Sequence, residues 1–256
     1  MQITFLGTGT SHGVPMIGCE CATCRSDDPC DRRLRPSIYI RADDGSSLLV
    51  DAGPDLRAQA LTHRIHRVDA IVLTHGHADH ILGLDDVRRY NSLMARPMPV
   101  FGDALTLDEI KRMFGYAFDP STPKGGGIPQ LELAVVGGPF TVGSLHVMPV
   151  PVWHGKRQIL GLRLGRFAYL TDCNAIPDSS WDLLAGVEIV VIDALRQRPH
   201  PTHFSLDEAV AASRRIAARQ TWFTHMCHDL PHAATNAQLP AGMALAYDGL
   251  QLTIPE

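Results

Sequence analysis

The sequence predicts an α/β fold in which two β-rich halves carry flanking helices. Three observations predict it. Short apolar runs of strand length gather in a first half up to residue 101 and again from residue 131 onward. Amphipathic stretches with helical spacing flank both groups. One buried run then ends in Thr-His-Gly-His-Ala-Asp-His at 74–80, where a strand holds a functional loop rigidly. The chain has 256 residues, 45% of them hydrophobic and 20% charged, with no tandem repeat or linker, and it reads as one domain over residues 1–256.

Residues 3–6 form an apolar first strand, and the glycine-rich turn Gly7-Thr-Gly-Thr-Ser-His-Gly13 follows it. Gly7, Gly9 and Gly13 lack dinucleotide-binding spacing and no helical pattern follows, although the amides of such a turn suit an anion. His12 lies there, open between a substrate contact and a lone exposed histidine. Arg32, Arg33 and Arg35 precede strands at 37–40 and 47–51, which Asp43-Asp44-Gly45 joins by a turn. The arginines read as a solvated basic cluster or, alternatively, as a fork for phosphate. Helix signals cover 54–61, with His63 and His66 assigned to a solvent face, and 69–73 is the central buried strand.

Residues 82–94 read as a helix that turns Leu84, Val87 and Leu93 to the core and Asp85, Asp86, Arg88 and Arg89 to water. A strand at 98–101 and a helix at 105–114 come next. Residues 118–129, with Pro120, Pro123 and glycines at 125–127, are too interrupted for regular structure and form either a flap or a connector. The second half offers strands at 131–136, 140–142, 145–150, 159–164, 167–170 and 187–193. A helix at 205–217 starts at Ser205 with Glu208 three positions on, the pattern of a capping box. The strand at 221–224 leads to Thr224-His225, and 245–247 with 250–254 reads as a closing hairpin around Asp248-Gly249.

Composition narrows the function. A net charge of -4 gives no footprint for gripping long nucleic acid, and a small anionic substrate is the more natural partner. The first residues enter a strand without a basic or signal-length apolar segment, and no run approaches a membrane span. The expectation is a cytoplasmic protein without a membrane partner. Of six cysteines, Cys19, Cys21 and Cys24 crowd into one loop, too close for a disulfide framework. Their three soft sulfurs suit tetrahedral zinc if a fourth ligand comes from elsewhere; the alternative is unliganded thiols. Cys30, Cys173 and Cys227 read as free thiols.

The chemistry is densest after the central strand. His75, His77, Asp79 and His80 put three imidazoles and a carboxylate into six positions, with small Gly76 and Ala78 between them. These are ligands for zinc and other divalent metals. His75 and His77 diverge from Asp79 and His80 as strand passes into helix, which suggests two metals.

This stretch resembles the His-x-His-x-Asp-His signature of the metallo-β-lactamase superfamily of metal-dependent hydrolases. The resemblance implies an αββα sandwich. It places His75, His77 and His154 on one metal, Asp79, His80 and His225 on a second, and Asp172 as the bridge. Zinc or manganese fits such a set. Asp79 counts among the catalytic residues because the pair would hold the hydroxide that attacks a phosphodiester. Asp51-Ala-Gly-Pro54 resembles the Asp-x-Gly element that orients the metal loop by hydrogen bonds. Thr202-His203-Phe-Ser-Leu206 resembles a segment of the superfamily's phosphodiesterases that supplies a general acid. His203 takes that role against the alternative of a surface histidine, with His200 a weaker competitor.

Within the superfamily the chain is, over nearly its whole length, most similar to the phosphoribosyl cyclic phosphodiesterase family of the carbon-phosphorus lyase pathway. Gly13-Val-Pro15, Gly18-Cys-Glu-Cys-Ala-Thr-Cys24 and Thr224-His-Met-Cys-His228 carry that similarity. It implies a structural zinc on Cys19, Cys21, Cys24 and His228, and a small cyclic phosphoribosyl or nucleotide phosphodiester as substrate. His12 and Asp85-Asp86-Val87-Arg88 have no counterpart in the pattern. Two relatives remain as alternatives. A tRNA 3′-processing endonuclease normally carries a protruding basic arm, which this chain lacks. The non-catalytic pyrroloquinoline quinone biosynthesis protein B has a degraded ligand set, whereas all seven positions are filled here. A homodimer is compatible with the sequence.

Overall fold

The apolar runs become strands in the computed structural model, which describes residues 1–123, 125 and 127–254. In chain order they are β1 (Gln2–Gly7), β2 (Ser37–Arg41), β3 (Ser47–Val50), β4 (Ala70–Val72), β5 (Met98–Gly102), β6 (Leu131–Val135) and β7 (Phe140–Val142). The second half adds β8 (Leu145–His154), β9 (Arg157–Leu164), β10 (Phe167–Leu170), β11 (Ile189–Asp193), β12 (Gln220–Thr224), β13 (Met243–Leu245) and β14 (Gln251–Thr253). One sheet has the order β14-β1-β2-β3-β4-β5-β6 and the other β13-β12-β11-β10-β9-β8-β7. Within them, β3 to β6 and β10 to β13 run parallel.

Alternation along the strands shows how the layers stack. Leu48 and Val50 of β3 and Ile189 and Val191 of β11 meet in one core with Phe5, Ile40, Leu162 and Tyr169. The intervening residues point the other way. Leu49 and Ile71 pack against α1 (Leu56–Thr62), the turn after α2 (Ala78–Ile81), α3 (Val87–Met94) and α4 (Ala104–Met113), with α5 (Gly115–Phe118) beside them. Val190 and Ile192 pack against α7 (Leu206–Ile216), while α6 (Asp178–Trp181) and α8 (His232–Asn236) complete that side. Strands buried on both faces are why the parallel runs are continuously apolar. The result is the αββα sandwich that the superfamily resemblance implies. Among the described residues no helix is long and apolar enough to cross a membrane.

Several expectations need correction. The helix read at 82–94 is a 3-10 segment at Leu82–Asp86 followed by α3. That change of winding rotates the apolar face, so Tyr90 and Asn91 are buried and Leu93 is 47% exposed. His154 is the last residue of β8, not a residue beyond it. The strand continues through Pro149 and Pro151 because β7 pairs only with Leu145, His146 and Val147, and a proline beyond that ladder removes no donor from it. The closing hairpin does not form: β13 joins β12 in one sheet and β14 joins β1 in the other. Asp248 anchors the crossing by accepting from the Leu34 N–H at 2.7 Å and the Thr8 hydroxyl at 2.8 Å.

The arginines are also not a solvated cluster. Arg33 is buried and Arg35 Nε pairs with Asp55 Oδ2 at 3.1 Å. His63 is half-buried against the solvent-face expectation, while His66 is exposed. Residues 124 and 126 of the suggested flap lie outside the described residues. The predicted capping box forms, with the Glu208 carboxylate accepting from the Ser205 N–H at 2.8 Å.

Candidate metal centre and active site

Every candidate residue of the central cluster sits at the carboxyl end of a strand, on one edge of the sandwich. Asp51 follows β3, the 74–80 loop follows β4, His154 ends β8, Asp172 follows β10, Asp193 ends β11 and His225 follows β12. Ligand sites in parallel sheets gather at this end. Asp51, Asp172 and His225 adopt φ of 63°, 58° and 60°. The other described non-glycine residues with positive φ, namely Arg64, Ala95 and Ala217, lie at or just past helix ends. Strain at the centre therefore accompanies the site itself.

Two groups of donors converge there: His75, His77 and His154, and Asp79, His80, Asp172 and His225. Hydrogen bonds fix which nitrogen each imidazole offers. The Thr74 hydroxyl lies 3.0 Å from Asp51 Oδ2 and donates to that carboxylate, so its oxygen is left to accept from His75 Nδ1 at 3.1 Å. His80 Nδ1 donates to Asp51 Oδ2 at 2.8 Å, and His154 Nδ1 donates to Thr202 O at 3.0 Å. In the neutral form of all three rings Nε2 is left with its lone pair. Asp51 thus orients the metal loop as its Asp-x-Gly element suggests. The glycine of that element is required as well, since a Cβ on Gly53 would lie 2.1 Å from Asp79 O.

These donors fit a cation. Nε2 of His75, His80 and His225 is buried without a hydrogen-bond partner. Yet Asp172 Oδ2 is 3.2 Å from His80 Nε2, Asp172 Oδ1 is 3.0 Å from His225 Nε2, and Asp79 Oδ2 lies 3.4 Å and 3.6 Å from the same two nitrogens. Ligands about 2.0–2.2 Å from one tetrahedral ion stand roughly 3.3–3.6 Å apart. Asp172 turns one oxygen to each of the two histidines of its own group, and a carboxylate oxygen of it also lies within 4.8 Å of a ring nitrogen of His154 in the other group.

Charge divides the two groups. Burial pushes His75 well below its ordinary range, lowers His77, and takes His154 down to about 4, so these imidazoles are neutral. Burial opposes charge on His225 too, but the Asp172 charge outweighs it and raises the ring to about 10. His80 goes the same way under Asp172, Asp51 and Asp79. Burial raises Asp172, and the charges on His225 and His80 overcome it and hold the carboxyl well down. A divalent cation entering the carboxylate-rich group would displace the protons of His80 and His225.

His203 stands over this centre. Its Nδ1 donates to Asp193 Oδ2 at 2.9 Å, and its ring stacks on His225 at 4.7 Å with 8° between planes. The His154 ring is 4.8 Å away, and His154, Asp172 and His203 bring donor atoms within 4.8 Å of one another. Sequence reasoning missed Asp193 and treated it only as the end of a strand. Its signal was present, because Asp51 and Asp172 also mark strand ends.

A separate group unites Cys19, Cys21, Cys24 and His228. The sulfurs lie 3.1, 3.5 and 3.5 Å from His228 Nδ1, near the roughly 3.5 Å that one tetrahedral zinc imposes on sulfur and nitrogen ligands. The Cys24 N–H donates to Cys21 Sγ at 3.4 Å and lowers that thiol's pKa, and the Met16 N–H reaches Cys24 Sγ at 3.4 Å. Burial nonetheless pushes Cys24 up to about 11, so ligation there must displace a proton. Cys30, Cys173 and Cys227 are free thiols, and His12 is exposed.

Two further residues had no sequence signal. Arg157 Nη1 grips both oxygens of Glu109 at 3.0 and 3.1 Å, and Nη2 reaches Thr106 Oγ1 at 2.9 Å. A Cβ on Gly76 would lie 1.8 Å from Glu109 Oε2, so the glycine between His75 and His77 makes room for this pair. Beside His203 opens a cavity of about 300 Å³, lined by Thr10, His12, Arg196, Arg198 and His200 among others.

Known proteins share this fold. The family described as a beta-lactamase superfamily domain matches residues 47–226. A diphosphatase from the PhnP family has a solved structure that superposes with a TM-score of 0.91 at 47% identity, over 98% of this chain and 96% of that one. Zinc-bound PqqB from Methylobacterium extorquens superposes with a TM-score of 0.81 over 99% of this chain and 100% of its own, and at 20% identity it speaks for the fold alone. An octanoyltransferase of Porphyromonas gingivalis is 37% identical over 100% of this chain, which spans only 52% of that relative's length.

Proposed function

The chain belongs to the β-lactamase superfamily and is a hydrolase related to the PhnP family, and from that premise we propose that it is a dinuclear metal-dependent phosphodiesterase acting on a small anionic phosphodiester. One observation carries the reading. Unpaired Nε2 atoms and carboxylate oxygens converge from strand ends of both sheets, with a carboxylate-backed histidine above them. Two divalent ions, zinc or manganese, would be held by His75, His77 and His154 on one side and Asp79, His80 and His225 on the other, with Asp172 between, and would supply an activated water at neutral pH.

The chain's own residues do the rest. Asp51 and Thr202 hold His80 and His154 in the tautomer that offers Nε2. Asp193 accepts the Nδ1 proton of His203, so that the ring in its imidazolium form would offer its second proton, on Nε2, to the departing alkoxide. The cavity beside His203 lies where a leaving group would emerge, and Arg196, Arg198 and His200 give it donors for an anion. Cys19, Cys21, Cys24 and His228 would hold a structural zinc, a thiolate set suited to a reducing cytoplasm.

A second scissile linkage is favoured by the 47% identity to a diphosphatase, since the same centre would attack phosphorus in a diphosphate. The test is hydrolysis by metal-loaded protein of bis-p-nitrophenyl phosphate, cyclic phosphates including phosphoribosyl and nucleotide cyclic esters, and a diphosphate diester. Turnover of a cyclic phosphate or a diphosphate supports the reading and identifies the linkage. Cleavage confined to precursor tRNA would replace it with an endonuclease. Metal uptake with no hydrolysis of any substrate would replace it with a non-catalytic metal-binding role.

A further inference from the structure

Arg33 is the largest fully buried side chain among the described residues, 1% exposed, yet its nearest carboxylate oxygen, Asp31 Oδ1, is 3.4 Å away. A buried guanidinium is costly unless its remaining donors are taken up by geometry, and a single long contact to Asp31 leaves most of them free. Here backbone takes up the rest. Nη1 donates to Cys227 O at 2.9 Å, Nη2 to Leu230 O at 2.6 Å, and Nε to Cys30 O at 3.4 Å. Asp31 Oδ1 in turn accepts from the His232 N–H at 2.7 Å.

The Cys227 and Leu230 carbonyls belong to the segment that carries both His225 and His228. Cys227 lies between the two histidines, so the fork holds the chain that serves the central cluster through one histidine and the cysteine cluster through the other. The main chain of Arg33 grips the opposite wall. It donates to Val14 O at 2.7 Å and accepts from the Val14 N–H at 2.9 Å, five residues before Cys19. The glycine turn rests on it as well, since a Cβ on Gly9 would lie 2.7 Å from Arg33 O. One residue is therefore hydrogen-bonded both to the stretch that leads into the cysteine loop and to the stretch that flanks His228.

We propose that Arg33 is a positioning residue that presents His225 and His228 in register, so that the 226–232 segment is ordered by the guanidinium fork and not by zinc. The proposal rests on the metal reading of the two clusters. Lysine would retain the charge but reach a single carbonyl, because only a planar fork spans two fixed acceptors.

The test uses full-length Arg33→Lys and Arg33→Gln, with His228→Ala as the reference for a lost nitrogen ligand. Zinc affinity is measured by chelator competition, and cobalt(II) loading is followed by the thiolate-to-cobalt absorption band. The expected result is a folded Arg33→Lys whose thiolate centre binds zinc about 10–100-fold more weakly, the usual effect of losing a residue that orients a ligand, with a cobalt spectrum shifted toward that of His228→Ala. Affinity and spectrum unchanged from wild type in a folded variant overturn the proposal. Should the variants not fold, hydrogen exchange on zinc-stripped wild type decides. Amides of 226–232 stay protected while those of 18–25 open if the fork orders the segment, and equal opening of both overturns it. A wild type without any thiolate-to-cobalt band removes the metal reading itself, a failure distinct from that of Arg33.

Discussion

His203 Nδ1 stands 2.9 Å from Asp193 Oδ2, and the other oxygen of that carboxylate lies 3.8 Å from His225 Nδ1. Asp193 thereby backs two rings that stack on each other, one over the centre and one within it. A carboxylate on Nδ1 fixes the orientation in which a ring presents Nε2.

The leaving group reveals whether His203 acts as the general acid. For His203→Ala, turnover of an alkyl or ribosyl cyclic phosphodiester should fall roughly 10²–10⁴-fold, with a much smaller loss on p-nitrophenyl esters, which depart without a proton. Asp193→Asn should show the same substrate dependence with a smaller loss. Equal losses on both ester types would mean that His203 only positions substrate or supports the fold.

Cys21→Ser separates structure from chemistry. A closed shell of Cys19, Cys21, Cys24 and His228 leaves no position for water, so its loss should lower the melting temperature more than it changes turnover. A variant with unaltered melting and zinc content would show that the thiolates hold no structural ion.

Much of the layering was legible because buried strands alternate between an inner and an outer face, and the ends of those strands carry the polar residues. Which side chains converge was legible too, since His75, His77, Asp79, His80, His154, Asp172 and His225 follow a recognisable order. What escaped was tertiary. Nothing local marks Arg33 as buried, because its acceptors Cys227 O and Leu230 O lie about two hundred residues away in sequence. Glu109 and Arg157 find each other only once the two sheets pack. The closing hairpin failed because Asp248-Gly249 looks like a local turn while each flanking strand finds a partner in a different sheet.

Asp248 should make stability depend on pH. Burial raises its carboxyl to about 7, against the Leu34 N–H and Thr8 hydroxyl that favour the ionised form. Between about pH 4, where an unfolded aspartate ionises, and about pH 7, the folded state binds the extra proton, so this group's contribution to stability declines as pH rises and levels off above that window. Denaturant unfolding at pH 5 and pH 8 should therefore show Asp248→Asn gaining on wild type at the higher pH. A constant difference between the two proteins would refute the assignment.

Gly76→Ala tests the space below the metal loop. The added methyl must displace a Glu109 carboxylate that Arg157 holds at both oxygens, and the shift should weaken metal binding through His75 and His77 by about tenfold. Titration of metal-stripped protein with manganese checks this, and wild-type affinity in the variant would show that the pair yields freely.

The seven-residue centre itself is tested most directly by anomalous diffraction from crystals grown with manganese or zinc, for wild type and Asp172→Ala. Wild type should show two peaks roughly 3.5–4 Å apart with Asp172 between them, and Asp172→Ala should lose at least one. A single peak in wild type, with the Asp172 carboxylate remote from it, would contradict the dinuclear account.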